Sequence, residues 1–170
     1  ALICTLSFCF LQCVTPIIKK RIGLQAGLTV MRNAATIQFL LIVLSFACLT
    51  YAFIVNDFSL SYVVNYSDYS LPLFYRIGAV WGGHEGSVLL WLLMLQFWVF
   101  ALNLSTRRLN TADEQQLFYR VFSILNLLSL GFLLYVLKTS NPFLRNYQGI
   151  PLVGQDLNPV LQDPGLMIHP

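Results

Sequence analysis

The chain has 170 residues, of which 57% are hydrophobic and 10% are charged, and its mean hydropathy is +0.69. Soluble domains carry roughly 25% charged residues, so these values exclude an ordinary soluble domain and predict an all-α, polytopic transmembrane helix bundle. The net charge of +3 is small and the basic residues border apolar runs, so no nucleic-acid partner is expected.

Four apolar runs are long enough to cross a hydrocarbon core of about 30 Å. They predict spans at residues 1–18, 34–55, 87–104 and 121–137. Residues 56–86 and 138–170 are the expected irregular loops between and after these spans. The first run starts at Ala1 with no basic leader, and the last loop breaks off, so we expect residues 1–170 to be the N-terminal part of one longer membrane domain.

The basic residues predict how the spans are oriented. Four of them lie between the first and second spans and three between the third and fourth, against one in loop 56–86 and two in loop 138–170. Lys and Arg beside short loops are retained on the cytoplasmic side. Both loops should therefore face outward, which for a bacterial inner membrane means the periplasm.

The polar residues inside the predicted spans are amides. They are Gln12, Gln38, Gln96, Asn103 and Asn126. Side chains of this kind in a membrane are expected to make hydrogen bonds between helices. The four cysteines also fall inside the spans, so no disulfide framework is expected.

Residues 81–87 read WGGHEGS and lead directly into the third span. The three glycines let the backbone turn sharply and let another chain or a flat ligand come close. Trp81 could stack on such a ligand, with His84 and Glu85 beside it. A structural reading remains open, in which Glu85 and Ser87 only cap the helix, where the dipole favours a carboxylate, and His84 bonds to loop backbone.

Residues 154–170 read GQDLNPVLQDPGLMIHP. Three prolines remove amide donors and two glycines loosen the backbone, so this stretch cannot cross a membrane as a lipid-facing helix. Asp and Asn close before prolines predict successive turns, which would present His169 to a ligand arriving from outside. From spacing alone an ordinary loop histidine is the commoner case, and a metal or heme ligand is the alternative.

Several longer motifs occur together and in order. They are VNDF from Val55, LPLFYRIGAVWGGHEGSVLLW from Leu71, TSNPF from Thr139 and DLNPVLQDPGLMIHP from Asp156. With these motifs the chain resembles, over nearly its whole length, the N-terminal part of the cytochrome c maturation heme lyase family, the CcmF/NrfE group.

The resemblance implies a role in cytochrome c biogenesis. A protein of this family is a component of a heme lyase in the bacterial inner membrane, which receives heme from a periplasmic heme chaperone and attaches it covalently to the CxxCH motifs of apocytochrome c. Thiol-reducing and apocytochrome-binding maturation subunits are the further expected partners.

The resemblance also assigns residues. It implies that His169 is an axial ligand to the iron of the transferred heme. Trp81, His84 and Glu85 match the family's pattern without an assigned role, and their contact with heme is a hypothesis. No catalytic residue is implied. The family's tryptophan-rich motif, its second periplasmic histidine and the histidines of a b-type heme match no part of this chain, so lyase activity is expected of the full-length complex and not of this stretch alone.

Two other functions stay open at this point. A transporter of heme or of another small molecule would need a polar or charged site near the middle of the membrane. A structural assembly subunit would dock partner proteins through its loops without touching heme. Between the general and the nitrite-reductase branches of the family the motifs do not decide, and the general branch is favoured.

Overall fold

A computed structural model describes residues 1–106, 111–147, 149 and 151–165, and for residues 17–22 it describes the backbone only. Within these residues the chain is built from helices and turns, which confirms the all-α prediction. The helices are α1 (Leu2–Ile22), α2 (Leu24–Ile54), α3 (Ser61–Tyr66), α4 (Leu73–Ala79), α5 (His84–Ser105) and α6 (Ala112–Thr139), followed by a 3-10 turn at Pro159–Gln162.

Three of the described helices are long and apolar enough to cross a membrane, which makes this a multi-pass membrane protein. They are α2, α5 and α6, of 31, 22 and 28 residues. They contain the predicted spans 34–55, 87–104 and 121–137 almost entirely. The apolar part of α1, Leu2–Pro16, is shorter, so the first span stays a prediction.

Local signals set the helix ends. Gly23 is the single residue between α1 and α2, and its φ of +83° is a conformation that glycine adopts without a steric penalty. At the start of α6, the hydroxyl of Thr111 accepts a hydrogen bond from the Glu114 amide, and the Glu114 carboxylate accepts one from the Thr111 amide. This reciprocal capping box satisfies two amides that the helix itself leaves unpaired.

Contacts divide the chain into two compact units. The first, the transmembrane unit, comprises residues 1–45 and 92–135. Its core is a cluster of buried apolar side chains: Leu28, Met31, Ala35, Val99, Phe118, Tyr119 and Phe122. Beside this core Phe39 stacks on Phe100, with ring centroids 4.7 Å apart.

Amide side chains join the helices of the transmembrane unit. Gln12 donates to the Met31 carbonyl at 2.8 Å, Gln38 to the Cys9 sulfur at 3.0 Å, Gln96 to the Ser129 hydroxyl at 2.8 Å and Asn103 to the Arg32 carbonyl at 3.0 Å. The predicted bonds between helices are confirmed for these four residues. For Asn126 the prediction is wrong, because its amide donates to the Phe122 carbonyl one turn back in its own helix, a local bond that competes with longer-range partners.

The second unit, the loop unit, comprises residues 46–91 and 136–170, of which the described part ends at residue 165. The predicted irregular loop 56–86 is partly helical, since α3 and α4 lie within it, and α5 begins at His84 inside the predicted loop. Short helices without a strong apolar period of their own depend on tertiary contacts, which periodicity does not reveal.

Arg76 supplies such contacts for α4. Its guanidinium donates to the carbonyls of Leu71 at 2.7 Å, Tyr69 at 2.8 Å and Ile54 at 3.2 Å. The Ile54 carbonyl belongs to the last turn of α2, where four carbonyls lack a partner in the helix. One arginine therefore caps the end of α2 and fixes the segment that leads into α4.

Candidate functional site

The side chain of Tyr62 holds the glycine turn, residues 81–87, by hydrogen bonds. The buried Tyr62 hydroxyl accepts a hydrogen bond from the Gly83 amide at 3.1 Å and donates one to the Val80 carbonyl at 3.1 Å. Burial raises the pKa of this phenol, and the charge of Glu85 adds to the effect. Tyr62 therefore stays a neutral phenol that can donate and accept at once.

The glycines of the turn make room for tyrosine rings and for backbone. A Cβ on Gly83 would lie 2.7 Å from Tyr66 and 2.8 Å from Tyr62, and one on Gly86 would overlap the Val80 carbonyl oxygen. The sequence predicts that these glycines let another chain or a flat ligand come close. The structure shows that the neighbour at Gly83 and Gly86 is this chain itself.

His84 opens α5 and lies exposed on the turn. Its Nδ1 is 3.2 Å from the hydroxyl of Ser140, a fully buried residue just after α6. The predicted bond of His84 to loop backbone is thus replaced, at Nδ1, by a bond to a side chain from a distant part of the sequence.

Trp81 and Glu85 flank this histidine. Trp81 is partly buried, and its carbonyl accepts a 2.6 Å hydrogen bond from the Ser87 hydroxyl. Glu85 lies in the first turn of α5, where the helix dipole favours a carboxylate. The capping reading therefore holds for Glu85 by position, while Ser87 braces the turn and does not cap the helix end.

The proline segment, residues 151–165, packs directly on the glycine turn. A Cβ on Gly82 would lie 3.3 Å from a methyl group of Leu161 and 3.4 Å from one of Leu157. Leu157 is almost completely buried. The glycine turn and the proline segment, which are far apart in the sequence, thus meet at Gly82. Only a small residue at position 82 lets them approach this closely.

Turn chemistry shapes the proline segment as the sequence predicts. The Asn158 side chain caps the 3-10 turn by accepting from the Val160 amide at 3.0 Å, with Pro159 as its first residue. The Asp163 carboxylate accepts from the Gly165 amide at 2.8 Å. The segment is therefore an ordered series of turns, as far as Gly165.

His169 lies outside the described residues, so its predicted position remains a prediction. Among the residues that the structure does describe, no group of three His, Cys, Asp or Glu side chains is arranged to hold a metal ion.

Sequence reasoning missed Tyr62, Ser140 and Asp68, which hold the site together. Each acts on a partner far away in the chain: Tyr62 on Gly83, Ser140 on His84, and Asp68 on Gly154. The one local signal was the crowding of glycines at 82, 83 and 86, which marks a close approach without naming what approaches.

The class of protein follows from these features taken together: a multi-pass membrane protein whose ordered loops bring a glycine turn and a proline segment into contact. Residues 81–170, which include both, match the family model described as "Cytochrome C assembly protein". The chain belongs to this family.

Comparison with individual proteins supports the same family. The chain is 43% identical over 169 residues to the "Cytochrome c-type biogenesis protein CcmF" of Pseudomonas fluorescens, covering 99% of this chain and 25% of that protein. It is 45% identical over 139 residues to the protein of the same description from Escherichia coli K12, covering 82% and 21%. The chain thus spans about a quarter of the length of these curated relatives.

A solved structure shares the fold. The chain superposes with a TM-score of 0.69 on a structure described as "Cytochrome c Heme Lyase CcmF", covering 86% of this chain and 24% of that one at 24% sequence identity. At that identity the likeness supports the arrangement of helices alone.

Proposed function

We propose that this chain is the part of a cytochrome c heme lyase that holds heme at the outer face of a bacterial inner membrane. The observation that carries the proposal is the packing of Leu157 and Leu161 on Gly82. It joins the two motifs of the family within one ordered unit, and it places the exposed His84 on the same turn.

In this proposal heme is the substrate, handed over by a periplasmic heme chaperone. His169 is the axial ligand to its iron, Trp81 offers a ring for the porphyrin to stack on, and His84 lies exposed on the glycine turn. Glu85 lies beside His84 in the first turn of α5. The fit rests on exposure: His84 is open to solvent and Ser140 holds its Nδ1 edge at 3.2 Å.

The contribution of these residues is orientation. A thiol of the apocytochrome adds across a heme vinyl group: the S–H bond and the C=C π bond break, and one C–S and one C–H bond form. There is no net oxidation, so the chain need not supply an electron acceptor. Holding heme in place turns this encounter into an oriented one, for which effective molarities can reach about 10⁵ M. The apocytochrome and the thiol-handling subunits complete the reaction.

Two features of the structure favour this function over transport. The buried polar side chains in the described part of the transmembrane unit are amides and hydroxyls, with no charged residue among them. Ion-coupled and proton-coupled routes usually carry charge within the membrane. The glycine turn and the proline segment, which form the candidate site, both belong to the loop unit.

The test replaces the matching quarter of the Pseudomonas fluorescens relative by this chain and expresses the chimera in a strain that lacks its own copy. We expect His169→Ala to abolish most covalent heme attachment to c-type cytochromes, measured by heme staining, with chimera abundance unchanged. Added imidazole should restore part of the yield, because it can replace the missing ligand.

Val160→Ala is the matched control, because Val160 is 60% exposed in the same segment. Full cytochrome yield in His169→Ala would contradict the proposed ligand and leave the structural docking subunit as the better reading. Unchanged yield in His84→Ala would remove His84 from the heme contact.

A further inference from the structure

The carboxylate of Asp68 joins two distant parts of the loop unit. Its Oδ1 accepts hydrogen bonds from the Ser70 amide at 2.9 Å and from the Ser70 hydroxyl at 2.8 Å. Its Oδ2 accepts from the Gly154 amide at 3.2 Å, across 86 positions of sequence. The first two bonds fix the rotamer of the carboxylate. The third bond joins the carboxylate to Gly154, near the start of the proline segment.

We infer that Asp68 is a positioning residue for heme transfer, which fixes the proline segment against the glycine turn that carries Trp81 and His84. The inference rests on the proposed function, since it takes the glycine turn and the proline segment as the surface that holds heme. Asp68 itself would touch neither heme nor apocytochrome.

Further contacts beside the Asp68–Gly154 hydrogen bond hold the proline segment in place. The Gln155 amide donates to the Val64 carbonyl at 2.6 Å, next to the Asp68 bond. A Cβ on Gly154 would overlap the Ser67 carbonyl oxygen, so the two backbones touch. Farther along, Leu157 and Leu161 pack on Gly82, so the segment is held both before its 3-10 turn and within it.

The other side of the contact is also fixed. Asn56, with a φ of 52°, accepts a 2.7 Å hydrogen bond from the buried Ser67 hydroxyl. Its amide reaches the Asp68 carbonyl at 3.4 Å. The residue that presents the carboxylate is therefore bonded to Asn56, just after α2, independently of the proline segment.

A carboxylate suits this position better than an amide. It accepts from three donors on two oxygens, whereas asparagine has one oxygen and would turn an N–H group toward a donor. The backbone amide of Ser70 is the main reason that the pKa of Asp68 lies below its usual value of 3.8, so the side chain is ionised at neutral pH. Asp68→Asn therefore removes the contact with little change of shape.

Asp57 provides a matched control in the same loop. Its carboxylate accepts from the Ser59 amide two residues on, at 3.1 Å, which is a local turn bond. Asp57→Asn changes the same charge by the same chemistry without touching Gly154.

The geometric arm uses this chain in membranes, with its four cysteines replaced and spin labels at Leu73 and Val153, both of which are more than half exposed. We expect one narrow distance distribution for the parent and for Asp57→Asn, and a broader one for Asp68→Asn. Gly154→Ala, which forces the two backbones apart, should broaden it too. An unchanged width in Asp68→Asn would overturn the inference.

The functional arm uses the chimera. Asp68→Asn should lower the yield of c-type cytochrome at unchanged chimera abundance, and Asp57→Asn should not. A broadened distance with full yield would also overturn the inference, because the contact would then play no part in heme transfer. If His169→Ala retains full yield, the proposed function fails by itself, and the distance measurement still reports on the contact.

Discussion

At the scale of single residues, the candidate site depends on side chains that bond to backbone far away in the sequence. Tyr62 is the clearest case, because one buried hydroxyl serves both an amide and a carbonyl of the glycine turn. A buried polar group that loses its partner costs more than the bond itself contributed. Such residues should be sensitive to very small changes.

Tyr62→Phe tests this dependence. The change removes one oxygen and leaves the Gly83 amide and the Val80 carbonyl without their partner, so we expect the loop unit to lose about 1–3 kcal/mol of stability. Faster hydrogen exchange at residues 80–84, measured on the purified chain in detergent, should show the loss locally.

Tyr66→Phe is the control for this experiment. Tyr66 packs beside Tyr62, with ring centroids 5.0 Å apart, and its hydroxyl has no hydrogen bond recorded within the described residues. Its exchange pattern should match that of the parent. Equal exchange in both variants would mean that the Tyr62 hydroxyl does not hold the turn.

At the scale of elements, the apolar runs locate the three longest apolar helices among the described residues. The runs at 34–55, 87–104 and 121–137 fall almost entirely within α2, α5 and α6, because length and hydropathy are properties of the local sequence. The partners of the glycine turn could not be predicted in the same way. Tyr62, Tyr66 and Val80 pack against Gly83 and Gly86. No local sequence pattern predicts which residues these neighbours are.

The start of α5 should therefore reject even a methyl group. Gly86→Ala would place a Cβ against the Val80 carbonyl oxygen, and overpacking of this kind typically costs about 1–3 kcal/mol. Thermal unfolding of the purified chain in detergent, followed by circular dichroism, would measure the loss.

Gly131→Ala in α6 is the matched change, because a Cβ there meets nothing within 4 Å. Alanine is the better helix former by up to about 1 kcal/mol, so this variant should unfold at the same temperature as the parent or slightly higher. Equal behaviour of the two variants would contradict the close packing at Gly86.

At the scale of the whole molecule, topology decides which side of the membrane the proposed heme site faces. Seven of the ten basic residues flank the predicted cytoplasmic side of the spans, and this bias predicts that the loop unit faces outward. This bias follows from the positions of Lys and Arg along the sequence alone. The packing of the loop unit, in contrast, depends on contacts between residues far apart in the chain.

Cysteine labelling in intact cells tests this orientation. In a background without native cysteines, Leu152→Cys should react with a membrane-impermeant thiol reagent, because Leu152 is 90% exposed in the loop unit. Asp113→Cys, in the first turn of α6, should react only after the membrane is opened. The reverse pattern would place the proline segment in the cytosol, where no heme chaperone of the periplasm could reach it.

The junction at Gly23 has a consequence for how the chain resists proteases. One residue separates α1 from α2, so Lys19, Lys20 and Arg21 lie in helical backbone and not in an open connection. Trypsin cleaves chains that can unfold locally into an extended form, and exposed loop tips are its preferred sites. Trypsin added on the predicted cytoplasmic side should thus leave these three consecutive cleavage sites uncut.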